Sequence, residues 1–301
     1  MNRQEKPQEA GMDIRKKGLL IDAAIYAAAF VISSAFFMRI SHPLVATAVF
    51  TAVCTVLIFI GSVVFADVSV YDPYWSVAPP VMLLLNMIRY RLWNVNAWVL
   101  LAVVCIWAVR LTANWYAAYP GLGHEDWRYA KYRKKYPPFE FHLISFVGLH
   151  FVPTVAVYAG MISALLAVRE ERFAPLSAAG IAVMLAAVYL EYVSDRDIHR
   201  FLRDHPGERK TCNISVWHYS RHPNYLGEMS FWTGMFIYFA TLRPDSWYLG
   251  LGFLSIIALF LFVSIPMMEK HNMERRADYG EYRASTPMLI PIPGRVRPEK
   301  E

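Results

Sequence analysis

Residues 44–66 run for 23 positions without a charged side chain, and comparable apolar runs recur along the chain. A helix of that length covers about 30 Å of hydrocarbon. Because the apolar residues come in long blocks rather than in amphipathic stripes, they mark a polytopic membrane protein and not one large soluble core. Composition agrees. Of the 301 residues only 18% are charged, against roughly a quarter in an ordinary soluble domain, and mean hydropathy is +0.29. The expectation is an all-α polytopic membrane helix bundle of seven to eight transmembrane helices. A net charge of +6 does not point to nucleic acid, since Lys and Arg cluster between the apolar runs, where the positive-inside rule puts cytoplasmic loops. Cys54, Cys105 and Cys212 show no CxxC spacing, so neither a disulfide framework nor a zinc site is supported.

Taken in order, residues 1–18 are polar, end on Arg15-Lys16-Lys17 and read as a disordered cytoplasmic tail. Spans are expected over 19–38 and 44–66, with 19–43 as an added N-terminal helix and turn ahead of the main domain over 44–295. The aromatic, acidic segment 67–80 follows and leads to a short third apolar stretch, 81–88. Pro73 is expected to open that helix and to place Asp72 at or near its N-cap. A fourth span, 96–116, carries Trp107, Arg110 and Asn114 at spacings of three and four, hence on one face. An arginine inside a span points into a cavity or snorkels to the interface, and both readings stay open. The basic loop 120–138 is cytoplasmic by its charge. Spans five and six cover 139–168 and 173–193, and Asp195, Arg196, Arg200 and Arg203 continue the sixth at helical spacing beyond the bilayer. A seventh covers 225–242 and an eighth 247–265, which Pro266 ends or kinks. A polar tail, 268–282, precedes a Pro-rich finish and the terminal residues 296–301. Eight spans place both termini on the cytoplasmic side.

The densest polar stretch is Trp217-His-Tyr-Ser-Arg-His-Pro-Asn-Tyr-Leu-Gly-Glu228, directly ahead of an apolar run. Pro223 opens a helix without wasting an amide donor, which leaves the N–H groups of Asn224, Tyr225 and Leu226 for an anion that Arg221 and His222 also attract. With Arg200, Arg203, Arg275 and Arg276 it suits a phosphate-bearing dinucleotide, because guanidinium groups recognise phosphates in bidentate geometry. Asp195, Asn224, Tyr225, Glu228, His271 and Tyr282 are not explained by membrane orientation, and such groups hold ribose hydroxyls and a carboxamide. The alternative is a basic, aromatic-flanked helix start at the headgroup level that binds only lipid. His218 and His222 stand four apart, but Pro223 interrupts any helix through both and no third ligand has metal spacing. No metal is expected.

The segments Ser220-Arg-His-Pro-Asn-Tyr-Leu-Gly-Glu228, Glu281-Tyr-Arg-Ala-Ser-Thr-Pro-Met-Leu-Ile-Pro291 and Asp72-Pro-Tyr-Trp-Ser-Val-Ala-Pro79 resemble the bacterial DUF1295 branch of the steroid 5-alpha-reductase family. The likeness runs from about residue 44 to about 295. It implies a bundle holding NADPH at its cytosolic end, in the bacterial inner membrane, with a hydrophobic steroid-like enone entering from the bilayer. The reaction it implies is reduction of a carbon–carbon double bond conjugated to a ketone, by a monomer in contact with membrane lipids. An acid and a tyrosine bond the ketone oxygen in that family. Asp72 matches the acid; the tyrosine position falls on Trp107 here, so Tyr71 or Tyr74 becomes the candidate second donor. The cofactor positions map onto Arg110, Asp195, Arg203, Asn224, Tyr225, Glu228 and His271. Arg275 stands where the family often has a tyrosine.

Asp72 donates to a developing oxyanion only when protonated. Burial against Tyr71, Tyr74 and Trp75 favours that state, and a helix N-terminus with nearby arginines opposes it. Two other readings remain open. One is an S-adenosylmethionine-dependent isoprenylcysteine-type membrane methyltransferase, which shares an Arg-His-Pro-x-Tyr-x-Gly motif; its cofactor has no phosphate for Arg200 and Arg203 to meet. The other is a non-catalytic sterol- or lipid-binding membrane protein.

Overall fold

The computed structural model describes residues 6–291, with side chains from residue 14 onward. The first five residues of the expected N-terminal tail and the expected 296–301 tail lie outside the described residues. Among the described residues the regular elements are all helical. Six helices are long and apolar enough to cross a membrane: Ile14–Phe37, Pro43–Val64, Val95–Ala118, Pro138–Ala167, Pro175–Asp204 and Pro244–Arg275. Two of the eight expected spans fall outside that set for different reasons. The helix Tyr74–Tyr90 has 17 residues, with Pro79 and Pro80 inside it, so at 1.5 Å per residue it reaches about 26 Å. The helix Pro223–Leu242 is 20 residues long, but Asn224, Glu228, Ser230 and Thr233 dilute its hydrophobicity. The described residues fall into two compact units that part between Tyr158 and Ala159.

In the first unit, α1 (Lys6–Phe37) begins well before the expected span. The tail expected to be disordered is therefore helical from Lys6. Residues 8–17 are mostly strong helix formers, and Arg15 is held in place: its guanidinium donates to the Tyr116 carbonyl and lies 4.8 Å over the Tyr116 ring. Next, α2 (Pro43–Val64) opens on Pro43 with His42 as its cap. It runs beside α1, with Phe30 stacked on Phe50 at 5.9 Å and Ile25 filling the space over Gly61. A single 3-10 turn, Val68–Tyr71, leads to α3 (Tyr74–Tyr90). Asn94 caps α4 (Val95–Ala118) by accepting from the Ala97 N–H at 2.9 Å. The basic loop contributes α5 (Trp127–Lys135). A last span joins α6 (Pro138–Ile144), a π-helical stretch Ser145–Phe151 and α7 (Val152–Ala167), and the unit boundary falls inside α7.

The second unit is built on α8 (Ala178–Asp204), α9 (Val216–Tyr219) and α10 (Pro223–Leu242). As expected, α8 carries Asp195, Arg200 and Arg203 on one unbroken helix. Close approach of α8 and α10 rests on small residues. A Cβ at Gly180 would stand 2.6 Å from the Tyr238 nitrogen, and one at Gly227 would stand 2.5 Å from Glu191 Cγ. After a 3-10 stretch, Pro244–Gly250, come α11 (Phe253–Leu259), a π-helical turn Phe260–Ser264, α12 (Ile265–Arg275) and α13 (Tyr279–Ser285). Pro266 neither ends this helix nor breaks it: it sits at the start of α12, just after the π turn. The wider turn takes up the carbonyl clash and missing donor that a proline brings to a regular ladder.

Candidate functional site

Among the described residues, each unit carries a polar cluster rich in charged side chains. In the first, Asp67 caps the 3-10 turn by accepting from the Ser69 N–H at 2.9 Å, and its other oxygen accepts from the Gly123 N–H at 2.7 Å. Gly123 has φ +87°, a conformation that suits glycine, so the chain turns there and presents its amide to the carboxylate. The same two segments are tied again by Glu125, which accepts from the Val68 N–H at 3.1 Å, and by Ser69 Oγ, which accepts from the Asp126 N–H at 2.9 Å. Arg133 grips Glu125 with two bonds of 2.6 and 2.8 Å. Asp126 caps α5 and also accepts from Arg128 Nε at 2.7 Å.

This lattice places Tyr129 Oη 2.6 Å from Asp72 Oδ1. Asp72 does not cap α3, contrary to expectation. The helix starts at Tyr74 with Pro73 in the cap position and no side-chain cap bond, so the carboxylate is turned to α5 instead. Burial pushes the Asp72 carboxyl up to about 6, against the Arg128 charge and the Tyr129 hydrogen bond, which pull it down; Asp126 and Asp67 add a smaller upward push. Tyr129 is raised well above the usual phenol range, first by burial and then by the Asp72 charge. The pair is an acid and a phenol sharing one short hydrogen bond in a poorly solvated place.

Tyr71 is buried, with its hydroxyl engaged by Thr154 Oγ1 at 2.8 Å and its ring stacked on Tyr74 at 5.1 Å. Trp107 is wholly enclosed in the same unit, and Arg110 and Asn114 are half-buried farther along α4. Sequence reading missed Tyr129 because it lies among five basic residues and registers there as part of a charged loop. The Asp126-Trp-Arg-Tyr129 start of a helix was the available signal.

In the second unit three polar stretches meet. Trp217 Nε1 donates to the Ser194 carbonyl at 3.0 Å, joining the motif segment to α8. Tyr282 Oη donates to the carbonyls of Trp217 and Ser220, and the Arg221 N–H donates to the Pro287 carbonyl at 2.9 Å. Asp278 accepts from the Thr211 N–H and hydroxyl at 2.8 and 2.7 Å. Arg221 meets Glu269 at 2.8 Å and the Arg283 carbonyl at 2.7 Å, while His222 Nε2 lies 3.4 Å from the same Glu269 carboxylate and stacks on Tyr225 at 5.4 Å. Glu228 accepts from Trp232 Nε1 at 3.0 Å.

Pro223 opens α10 as expected, with His222 in the cap position. The Leu226 N–H, expected to face an anion, donates to the His222 carbonyl at 3.0 Å. It is the fourth helical position, where the intrahelical ladder begins, so the expectation is corrected for that residue. Arg200 and Arg203 are exposed on α8, Arg200 beside Asp204 at 3.7 Å. Asp195 and Asn224 are half-buried. His271 receives a 3.4 Å bond from exposed Arg275. Glu269 is the residue that sequence reading undervalued, although an acid at the change from apolar to polar sequence was visible.

The donor types of the second unit are ones that could hold a phosphate-bearing nucleotide: exposed guanidinium groups on α8, Asp195 on the same helix, and the Asn224 amide at the start of α10. Arg221 and Tyr282 are different, since both are engaged in holding the motif segment. A family model described as Protein of unknown function (DUF1295) matches residues 58–286. No curated protein and no solved structure matches the chain.

Proposed function

Because the chain belongs to the DUF1295 family, we propose that it is a membrane-embedded, NADPH-dependent reductase of a carbon–carbon double bond conjugated to a ketone in a steroid-like lipid. The observation that carries this reading is the 2.6 Å pair of Asp72 and Tyr129. An enone accepts hydride at its β-carbon only if the charge that grows on the ketone oxygen meets preplaced donors in a dry setting. Asp72 with its carboxyl near 6 carries a proton in a useful fraction of molecules close to neutrality. Protonated, it donates to the ketone oxygen, and Tyr129 fixes the orientation of the carboxyl. Tyr129 thus acts through Asp72 and is not the second donor to the ketone oxygen that was expected at the Trp107 position or of Tyr71 or Tyr74.

When bound, NADPH supplies the hydride. Arg200, Arg203 and Arg275 would attract its phosphates, and Asp195, Asn224 and His271 would hold its sugar and amide groups. Arg221, His222 and Tyr282 keep the motif segment in shape for this. In the same reading the bundle has seven to eight transmembrane passes, with the termini and the nucleotide on the cytoplasmic side of a bacterial inner membrane.

The test is loss of reduced-nicotinamide absorbance when purified protein in detergent meets NADPH and a panel of conjugated enones, a 3-keto-steroid among them. Oxidation that depends on the enone supports the reading. NADPH binding without turnover of any enone would leave a lipid-binding protein, and binding of S-adenosylmethionine in place of NADPH would indicate methyl transfer.

A further inference from the structure

We infer that α1 positions the Asp72–Tyr129 pair, with Tyr26 as its principal positioning residue. This helix lies outside the stretch matched by the family, which begins at residue 58. The inference rests on the reductase reading for its function but not for its geometry.

Pro73 has no N–H, so the Val70 carbonyl lacks the donor that a continuing 3-10 turn would offer it. A buried carbonyl without a donor is costly. Tyr26 Oη supplies that donor from α1, at 3.0 Å from the Val70 carbonyl and 3.3 Å from that of Tyr71, the residue directly before Asp72. The Asp72 N–H is tied in turn to the Ser69 carbonyl at 3.0 Å. A phenol on α1 therefore fixes the backbone from which the Asp72 carboxyl projects.

The other partner is braced by the same helix. Arg15 donates to the Tyr116 carbonyl. Gly18 lies so close to the next turn that a Cβ there would stand 2.6 Å from Tyr119 Oη and 2.7 Å from the Leu122 nitrogen. That strand of chain continues into Gly123, whose N–H is held by Asp67, and then into α5 with Tyr129. One helix thus touches both arms of the pair, and a shift of α1 alters the distance between them.

The experiment follows the titration of Asp72 in the full chain, by isotope-edited infrared spectroscopy of its carboxyl with Asp72→Asn as the blank. The groups facing Asp72 are Arg128, Tyr129, Asp126, Asp67 and Tyr71, with Tyr26 also within electrostatic reach. In Tyr26→Phe the loosened turn admits water, and the midpoint falls from near 6 toward the free-aspartate range by about half a unit or more. Tyr158→Phe is the control, since its hydroxyl makes the same kind of bond, to the Leu44 carbonyl at 2.9 Å, but away from this turn; it leaves the midpoint unchanged. Should Tyr26→Phe fail to fold, Gly18→Ala gives the same readout from the other arm. A midpoint that does not move in whichever variant folds overturns the inference. A shifted midpoint in a protein that reduces no enone supports the inference and overturns the reductase reading alone.

Discussion

Arg221 and Glu269 face each other at 2.8 Å, with about nine-tenths of each side chain withdrawn from solvent. Residues 48 positions apart in sequence are thereby joined, and His222 and Arg283 share the same carboxylate. Removing one member of such a pair leaves a buried charge uncompensated, at a cost of about 3 kcal/mol. Glu269→Gln is expected to lower the thermal midpoint in detergent by several degrees, while Arg243→Gln, which breaks the more exposed 2.7 Å pair with Glu170, moves it little.

In the proposed reaction, turnover depends on Asp72 as the donor to the ketone oxygen and on Tyr129 to hold it. Loss of one oxyanion donor costs about 100-fold or more in rate. Asp72→Leu, which removes the donor, should reduce enone-dependent NADPH oxidation by about that factor, and Tyr129→Phe, which only releases the orientation of the carboxyl, by less, with the affinity for NADPH, read by fluorescence quenching, unchanged.

Acidification should stabilise the first unit. The folded protein holds the Asp72 proton up to about 6, against 3.8 for an unperturbed aspartate. Between those values the folded state binds more protons than the unfolded one, so this contribution is complete below the lower value and lost as pH rises through the higher. Melting curves taken from about pH 7 down to about pH 5 should show a rise in midpoint that is absent in Asp72→Asn.

Close backbone contact makes Gly180 intolerant. The added Cβ meets main-chain atoms of Tyr238 and Gly234 at 2.6 to 2.8 Å, and neither can swing away. Gly180→Ala is expected to cost about 2 kcal/mol or more. Gly148→Ala, with nothing within 4 Å of its added Cβ, should be neutral in the same melting assay.

Arg203 separates the cofactor readings. It is exposed on α8, so Arg203→Ala should leave the melting midpoint in place. Loss of a charge-assisted bond to phosphate weakens NADPH binding by about tenfold or more. An unchanged affinity would remove α8 from the nucleotide site.

The spans at 44–66 and 96–116 were readable from the sequence because an uncharged run of that length has few other uses. Residues 178–204 were readable as one helix for a different reason: the polar groups after Val193 keep the helical spacing. The Pro223 helix start was legible from its own chemistry. What could not be read was pairing between segments. Nothing local to Asp72 indicates a phenol 57 positions later, and the apparent N-cap spacing before α3 suggested a nearer partner. Glu269 was hidden in the same way, since its meaning comes from Arg221 and His222. At Pro266 the choice between an end and a kink stayed open, because the π turn that precedes the proline leaves no mark in the sequence.

The hold that Tyr282, Arg283 and Pro287 exert on residues 217–221 has a temporal consequence. Translation releases the Arg-His-Pro segment tens of residues before any of the three groups that restrain it. Until the ribosome has passed Pro287, this part of the nascent protein is without its fastener, so a pause or a stop codon upstream of that point would deliver the helices to the membrane with the motif unlatched.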